Sequence, residues 1–327
     1  MKKAKILAVI NLPQETFIPY GTGVKTSILF LEKRGDANIQ HYSIFFGKIT
    51  KLGYQGNKNG TPLYKKNEYG QYSFDNNGNK IIDENINDLI QSYKKYHDGK
   101  EFNNSRAFSI NSIKIENRLD FDFYSPEMRN IFINTKNNTV KLGDICEIVK
   151  TKSSKLKKDT GLIEYIELSD INTNSFEIIN VTPYNIHDLP SRASFEIKEG
   201  DIMTAVAGNS VGTRRHATAL VSKKYSGCIC TNGFRIIRNS EISPYFLLFY
   251  MKNEKFLKQM YALRTGAAIP SVSDSDIKNI IIEIPKDDTM NIIIEKMQKI
   301  FSLRDKAQKE FESINKTFCA ILGAEDI

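Results

Sequence analysis

The sequence is poor in the residues that crosslink or ligate small folds. It contains four cysteines in 327 residues, Cys146, Cys228, Cys230 and Cys319, and only four histidines. A disulfide framework requires denser cysteines and an export signal, and the spacing of Cys228 and Cys230 is typical of neither a redox motif nor a zinc knuckle. We therefore expect the cysteines to behave as small buried apolar residues, and we expect no structural metal.

Long apolar runs are absent as well. No stretch approaches the ~18 residues that a membrane-spanning helix requires, so we expect no membrane partner. The N-terminus is basic and then apolar, but its apolar run covers only residues 6–10 and lacks a small-residue cleavage site. This pattern favours a buried strand over a secretion signal, and we expect a cytoplasmic protein.

The excess of positive over negative charge is moderate. Lysine and arginine number 46 against 38 acidic residues, which gives a net charge of +8 at pH 7. With 40% hydrophobic and 26% charged residues, the composition is that of a globular protein. A net charge of this size raises the expectation of nucleic-acid binding only modestly, so the placement of the cations matters more.

The N-terminal segment has the pattern of an incomplete sheet. Residues 6–10 and 26–31 form continuous apolar runs typical of strands buried on both faces. Two such strands cannot cover each other, so we expect them to form the edge of a larger sheet. Further along, the pattern predicts a strand over 42–46, a helix over 83–96 and a strand over 110–115.

From about residue 119 the pattern changes to short strands separated by Gly, Asn and Ser turns. A helix is predicted over 244–263, where Pro244 suits a first helical turn, and a buried strand over 280–284. The last segment has apolar residues at spacings of three and four, which predicts an amphipathic helix of about 30 residues that needs a partner. The predicted strands cover residues 140–149, 162–168, 176–181, 193–206, 217–221 and 228–238.

Two stretches resemble domains of restriction-modification enzymes. Residues 7–33, LAVINLPQETFIPYGTGVKTSILFLEK, are similar to the closing strands of the catalytic domain in N6-adenine DNA methyltransferases, and residues 45–60 are similar to the segment that those enzymes carry after these strands. Residues 118–126 resemble the junction in proteins that join such a domain to a recognition domain. Residues 141–285 resemble the target-recognition domain of the type I DNA specificity subunit, through KLGDICEIVK at 141–150, EGDIMTAVAGNSVGT at 199–213, SPYFLLFYM at 243–251 and TGAAIPSVSDSDIKNIIIEIP at 265–285.

Together the resemblances imply a mixed α/β (α+β) fold with three parts. Residues 1–118 correspond to a strand-turn-strand remnant of a methyltransferase sheet and a linker. Residues 119–288 correspond to a β-rich DNA target-recognition domain. Residues 289–327 correspond to a long amphipathic helix that acts in dimerisation or as a spacer.

The methyltransferase resemblance lacks the parts that perform chemistry. That family binds S-adenosylmethionine with a Gly-rich loop and holds the adenine with Asn-Pro-Pro-Tyr, and neither motif occurs here. Residues 21–23 have no third glycine and lead into a strand, which is typical of a tight turn. Residues 243–246 resemble the adenine motif faintly, but they sit at a helix start, where we expect packing. We expect no catalytic residue and no cofactor in this chain. We expect S-adenosylmethionine to bind to a partner or to a missing methyltransferase domain, which an internal start, a split gene or a truncation would have separated from this chain.

A lysine-rich segment suits contact with DNA phosphates. Residues 150–158 contain five lysines, interleaved hydroxyl groups and no acid. If all five lysines neutralised phosphates, the logarithm of the binding constant would fall against the logarithm of salt concentration with a slope of about −4. The alternative is a solvated loop without a ligand. The lysines are Lys150, Lys152, Lys155, Lys157 and Lys158.

A loop with two glycines at 208–216 suits the recognition of bases. Glycine permits close approach of the backbone, arginine bonds guanine bidentately, and asparagine does the same for adenine. The alternative is a hairpin with exposed charges. The candidate DNA contacts in the loop are Asn209, Ser210, Thr213, Arg214 and Arg215, and the candidates outside it are Arg235, Arg264 and Thr265.

These observations leave three hypotheses open. The first is a binding module that recognises one half of a bipartite target in double-stranded DNA and directs adenine-N6 methylation by a partner. The resemblance implies that its tail helix packs antiparallel against a second recognition domain or a second copy, and helps to dock a methyltransferase subunit or domain. The second is the C-terminal piece of an adenine methyltransferase that is active only when its cofactor-binding domain is supplied. The third is a protein-interaction scaffold that has lost DNA binding.

Overall fold

The structure is a computed structural model, and its chain divides into two compact units. The first unit comprises residues 1–134 with 262–271, and the second comprises residues 135–261 with 272–327. None of the described helices is long and apolar enough to cross a bilayer. The residues that the structure describes are 4–33, 41–115, 118–131, 135–157, 160–266, 269–285 and 287–322.

The first unit is built around one mixed sheet. Its strands are β1 Ala4–Leu12, β2 Thr26–Lys33, β3 Ser43–Lys48 and β4 Ala107–Asn111, and its helices are α1 Ile86–His97, α2 Phe121–Tyr124 and α3 Pro126–Arg129. The strand order is β2-β1-β3-β4. β1 pairs antiparallel with β2 and parallel with β3, and β3 pairs antiparallel with β4.

The apolar run at 6–10 is buried on both faces of this sheet, as predicted. On one face Val9 belongs to a core cluster that includes Phe121 of α2. On the other face Ile10 belongs to a cluster that includes Leu89 of α1. The predicted run therefore forms the central part of β1, because helices cover the sheet from both sides.

β2 departs from the prediction of a second buried strand. It lies at the edge of the sheet, and Ile28, Leu29, Phe30 and Leu31 are 45, 44, 48 and 56% exposed. Successive strand residues point to opposite faces. Both faces of β2 are therefore open to solvent in the part of the chain that the structure describes.

Two boundaries in the first unit also differ from prediction. The strand predicted at 110–115 ends at Asn111, because the side chain of Asn111 accepts the Ile113 N–H at 3.1 Å and begins a 3-10 turn, Ser112–Lys114. The helix predicted from residue 83 begins at Ile86. Its first turn is capped by the Glu84 carboxylate, which accepts the Asn87 N–H at 3.1 Å.

The second unit contains twelve short strands and five helices among the described residues. The helices are α4 Leu142–Ile145, α5 Pro244–Tyr250, α6 Glu254–Leu263, α7 Asp274–Lys278 and α8 Asp287–Leu322. The strands are β5 Asn138–Lys141, β6 Glu147–Val149, β7 Leu162–Ile166, β8 Ile171–Asn172, β9 Glu177–Ile178, β10 Thr182–Asn185, β11 Ala193–Glu196, β12 Ile202–Ala205, β13 Thr218–Leu220, β14 Ile229–Thr231, β15 Phe234–Arg238 and β16 Ile281–Ile284.

Two four-stranded sheets form the body of the second unit. Their orders are β10-β7-β14-β11 and β13-β12-β15-β6, and β14 leads into β15 through residues 232–233. Tyr165, Met203, Phe234 and Phe256 are fully buried. Two two-stranded sheets, β16-β5 and β8-β9, complete the unit.

Several predicted elements of this unit are divided. The strand predicted at 140–149 is two strands with α4 between them, and the strand predicted at 193–206 is β11 and β12, separated by a turn at Gly200 with φ +85°. The helix predicted at 244–263 is α5 and α6. The break follows from Asn253, whose side chain accepts the Lys255 N–H at 2.8 Å and caps α6.

Phe249 corrects a core prediction. The helical spacing of Phe246 and Phe249 predicts that both rings pack in the core. Phe246 is buried, whereas Phe249 is 49% exposed. The other buried residues of α5 are Leu247, Leu248 and Tyr250, so Phe249 lies on the side of this short helix that faces solvent.

α8 is the long amphipathic helix predicted from the sequence, and it spans 36 residues. Its first half packs on the body of the unit: the Phe301 and Tyr245 rings are 5.7 Å apart, and Arg304 donates to the Ser175 carbonyl at 2.6 Å. The second half carries apolar side chains into solvent. The exposed apolar residues of α8 are Ile292, Ile300, Leu303, Phe311, Ile314, Phe318 and Ile321.

The cysteines are free thiols. Cys228 and Cys230 are buried, whereas Cys146 and Cys319 are half-buried. Burial raises the pKa of Cys146, Cys228 and Cys230 to about 12, so these thiols are protonated at neutral pH. Among the described residues no group of three or more His, Cys, Asp and Glu side chains is placed to hold a metal ion.

Candidate nucleic-acid interface

Several candidate segments leave the β13-β12-β15-β6 sheet at the same end. The last residue of β12, Ala205, lies opposite the first residue of β15, Phe234. The last residue of β6, Val149, lies opposite Ile236 near the start of β15, and β13 starts opposite the end of β12. We call the end from which residues 150, 206–217 and 232–233 leave the loop end.

The loop at 206–217 is a chain of tight turns. The N–H groups of Val211, Thr213 and His216 donate to carbonyl oxygens three residues earlier, at 3.3, 3.0 and 3.0 Å. The Thr213 hydroxyl donates to the Ser210 carbonyl at 2.8 Å and accepts the Arg215 N–H at 3.1 Å. Backbone and hydroxyl groups therefore hold the loop together, as in other short loops rich in Ser, Thr and Gly.

Gly212 fixes the loop against α6. Its φ is +71°, a left-handed conformation that favours glycine. A Cβ at this position would lie 2.7 Å from the Tyr261 Cα and 2.9 Å from the Leu257 carbonyl oxygen. The glycine predicted to permit close approach to DNA instead permits close approach to the protein's own helix.

His216 holds the base of the loop from inside the protein. The side chain is fully buried, its Nδ1 accepts the Gly212 N–H at 3.2 Å, and its Nε2 lies 2.9 Å from the Thr204 hydroxyl. Burial, together with the charge of Lys252, lowers the pKa of His216 to about 3. The imidazole is therefore neutral at neutral pH, and with Nδ1 accepting, its Nε2–H donates to Thr204.

Arg214 and Arg215 form the exposed tip of this loop. Both side chains are exposed, and within the described ranges neither guanidinium group has an ion pair or hydrogen bond. Asn209 is exposed on the same loop, and Ser210 and Thr213 are half-buried. The loop thus presents two arginines and an asparagine at the loop end of the sheet.

The lysine-rich segment is only partly at the loop end. Lys150 and Lys152 are exposed there, after β6. The chain then follows β11, since the Ser153 N–H donates to the Ser194 carbonyl at 2.8 Å. Lys155 reaches the Gly227 carbonyl at 2.7 Å and Glu196 at 3.1 Å. Lys157 is exposed, and the predicted contact Lys158 lies outside the described residues.

The candidates outside the loop are engaged with the protein. Arg235 pairs with Asp274, and its NH1 donates to the Asn232 and Phe234 carbonyls at 3.0 and 2.8 Å. The Thr265 N–H donates to the Ser271 carbonyl at 2.7 Å. Arg264 is half-buried and makes contacts of its own. Their assignment to DNA stays a prediction.

Two cations near this site carry no sequence signal. Arg192 precedes β11 and pairs with Glu167, and its carbonyl accepts the Asn232 N–H at 2.7 Å beside the loop end. Lys252, in the turn between α5 and α6, donates from Nζ to the His216 carbonyl at 2.8 Å and to the Arg214 carbonyl at 3.3 Å. Neither stands in a charged run or a glycine loop, so only the fold identifies them.

Residues 21–23 connect a 3-10 helix to a strand, which is the tight turn expected from the sequence. Gly21 ends a 3-10 helix, Gln14–Tyr20, and the segment leads into β2. A glycine-rich cofactor loop instead leads into a helix whose N-terminal N–H groups face the ligand.

Comparisons with known proteins match both parts of the chain. The family model described as N-6 DNA Methylase matches residues 1–130. No curated protein is significantly similar to the chain. Among solved structures, one titled for complex assembly and conformational transition of the type I R-M system is 25% identical over 59% of this chain and 52% of that chain, with a TM-score of 0.42.

A crystal structure of the HsdS subunit from Thermoanaerobacter tengcongensis is 28% identical over 55% of this chain and 47% of that chain, with a TM-score of 0.41. The chain thus spans about half the length of these solved structures. The family model described as the type I restriction modification DNA specificity domain matches residues 134–315, which is more than half of the chain. The chain therefore belongs to the family of type I restriction-modification DNA specificity domains.

Proposed function

We propose that this chain recognises one half of a bipartite DNA target for a type I restriction-modification system. The observation that carries the proposal is the loop end, where the loop at 206–217 presents the guanidinium groups of Arg214 and Arg215 without protein partners among the described residues. Unpaired guanidinium groups on a short loop suit bidentate bonds to guanine in the major groove. Lys150, Lys152 and Lys157 are exposed and suit phosphate contact.

The experiment separates base recognition from phosphate contact. A duplex pool with a randomised core is selected with the protein and sequenced, and affinity is measured across a salt series. Arg214→Ala and Arg215→Ala should change the selected sequence, with about 1–3 kcal/mol lost against the original target. A variant with Lys150, Lys152 and Lys157 changed to Gln should keep the selected sequence and reduce the salt slope by up to about three.

The control for both sets is Lys223→Gln, an exposed lysine that follows β13 at the opposite end of the sheet. It should alter neither the selected sequence nor the salt slope. A uniform loss of affinity in the arginine variants, with the selected sequence unchanged, would contradict the assignment of this loop to base recognition. An affinity of the wild-type chain that is insensitive to salt would contradict DNA binding altogether.

We further propose that the chain works with other polypeptides. The exposed apolar side chains of α8 support antiparallel packing against the helix of a second recognition domain or of a second copy. The match of residues 1–130 to N-6 DNA Methylase and the exposed faces of β2 support the alternative that the chain is the C-terminal piece of an adenine methyltransferase. In either case S-adenosylmethionine binds to a methyltransferase subunit or domain, and this chain alone transfers no methyl group.

A further inference from the structure

Lys252 is a half-buried cation without an acidic partner among the described residues. Other half-buried cations of the same unit have one: Lys155 pairs with Glu196 at 3.1 Å, and Arg238 pairs with Asp201 at 2.6 Å. Removing a charge from water without a counter-charge is costly, and burial lowers the pKa of Lys252. A position of this kind needs an explanation beyond general stability.

The protons of Lys252 are directed at one loop. Its Nζ donates to the carbonyl oxygens of Arg214 and His216, the residues on either side of Arg215. Hydrogen bonds from a charged donor are stronger than neutral ones and fix the accepting groups more firmly. The ammonium also lies 6.0 Å from the centre of the Phe176 ring. Lys252 therefore restrains the backbone that carries the two exposed guanidinium groups.

The His216 side chain restrains the same loop through different contacts. Its ring binds the Gly212 N–H and the Thr204 hydroxyl, and it packs edge-on against Phe256 with ring centres 5.7 Å apart. The two arginines thus sit on a loop that is held by a buried ring beneath and by an ammonium group on its carbonyls.

Resting on the function proposed above, we propose that Lys252 is a positioning residue for DNA recognition. It fixes the backbone at 214–216 so that Arg214 and Arg215 approach base edges in one geometry, and it does not itself contact DNA. Because bidentate bonds require both donors to meet one base edge, a loosened tip loses discrimination between bases before it loses attraction to the duplex.

The test compares discrimination with overall affinity in Lys252→Met, which keeps the length of the side chain and removes the charge. The probe is the randomised duplex pool, followed by duplexes that differ from the selected sequence at one base pair. We expect discrimination at the bases read by the loop to fall about tenfold, with affinity for unrelated duplexes and the salt slope unchanged. Lys252→Arg supplies cationic donors again and should recover most of the discrimination, and Lys223→Met is the matched control.

Two results would overturn the proposal. One is unchanged discrimination in Lys252→Met. The other is an equal loss of affinity for all duplexes with a salt slope reduced by about one, which is the behaviour of a phosphate contact.

A measurement without DNA separates this proposal from the proposed function. Hydrogen exchange of the peptide that covers residues 208–217 should be about tenfold faster in Lys252→Met, because the loop opens more often. The same peptide in Lys223→Met should exchange as in the wild type. Unchanged exchange in Lys252→Met contradicts the positioning role even if DNA binding is found. If exchange is faster in Lys252→Met but the wild-type protein shows no preference among DNA sequences, Lys252 still restrains the loop, and only the proposed function is contradicted.

Discussion

Of the two glycines in the loop at 206–217, Gly212 is the one in close contact with another element. Its left-handed φ and the contact with the backbone of α6 act together, since a Cβ would meet atoms that cannot move aside as a side chain can. Gly208 in the same loop also has a positive φ, +108°, but nothing lies within 4 Å of a Cβ there. A substitution at Gly208 therefore tests backbone strain alone, and a substitution at Gly212 tests backbone strain together with a steric clash.

We predict that Gly212→Ala destabilises the protein by at least about 3 kcal/mol, because strain and overpacking add. Gly208→Ala should cost only about 1–2 kcal/mol, since backbone strain acts there alone. Urea unfolding followed by circular dichroism measures both changes in the free energy of unfolding. Equal losses in the two variants would show that the contact with Tyr261 and Leu257 is relieved at little cost.

At the residue scale, the sequence identifies short stretches of unusual composition, but it does not predict which partner each side chain binds. The loop at 208–216 is predictable because glycines, hydroxyls and arginines coincide in a short stretch. The restraint by Lys252 is not predictable, because Lys252 is 36 positions from His216 and meets it only through the fold. Lys155 shows the reverse: it belongs to a conspicuous lysine run, yet its ammonium group binds Glu196 and a carbonyl of the protein.

At the scale of elements, α8 has two different sides. With 3.6 residues per turn, Ile300, Leu303, Phe311, Ile314 and Phe318 fall on one stripe. All of them are more than 40% exposed, whereas Phe301, on a neighbouring face, packs on α5. A continuous apolar stripe on the free half of a long helix is the pattern of a helix that pairs with another.

We predict that the chain self-associates through this stripe. Replacing Phe311 and Phe318 by Glu should convert the oligomer to a monomer in sedimentation equilibrium, because it places charges in a seam that must be apolar. Lys309→Gln with Lys316→Gln, on the opposite side of α8, is the control and should leave the oligomer intact. A wild-type chain that remains a monomer at every concentration would exclude a second copy as the partner of α8.

The elements also show where local patterns fail. Helical periodicity continues from residue 244 to 263, and on its own it predicts a single helix. The break between α5 and α6 depends on the Asn253 side chain, which caps the start of α6. The apolar pattern runs through this point without interruption and does not indicate the break. The apolar pattern of β2 is that of a buried strand, but burial requires neighbours, and β2 has one strand neighbour in the described sheet. Periodicity reports which side chains prefer burial and does not report what covers them.

At the scale of the whole molecule, the chain combines a unit that matches the DNA specificity domain family with a unit whose sheet has an exposed edge strand. The cofactor loop and the Asn-Pro-Pro-Tyr motif are absent from the sequence. Exposed apolar strands at a sheet edge are ready to pair with further strands. Under the function proposed above, this chain binds DNA and another polypeptide supplies the methyl-transfer chemistry.

We predict that methyl transfer requires a second polypeptide. The chain alone should transfer no label from S-adenosylmethionine to duplex DNA, and transfer should appear when an adenine methyltransferase polypeptide of the same system is added. Leu29→Lys with Leu31→Lys should abolish methyl transfer, because it charges one face of β2. It should leave DNA affinity unchanged, because β2 is far in sequence from the loop at 206–217. Transfer by the chain alone would contradict the need for a second polypeptide, and full transfer by the β2 variant would exclude this face of β2 as the docking surface.

The contacts that hold the loop at 206–217 bear on how a DNA target could be exchanged between related proteins. The loop at 206–217 is held through His216 by Thr204, through its carbonyl groups by Lys252, and it lies against Tyr261. If this loop reads bases as proposed, exchanging it by itself should not transfer a target. The residues that hold the loop are separated from it along the chain, but all of them lie in the segment from β12 to α6. We therefore expect exchange of the loop alone to bring new side chains on an altered backbone, and exchange of the whole segment from β12 to α6 to bring the side chains together with the backbone geometry that they require.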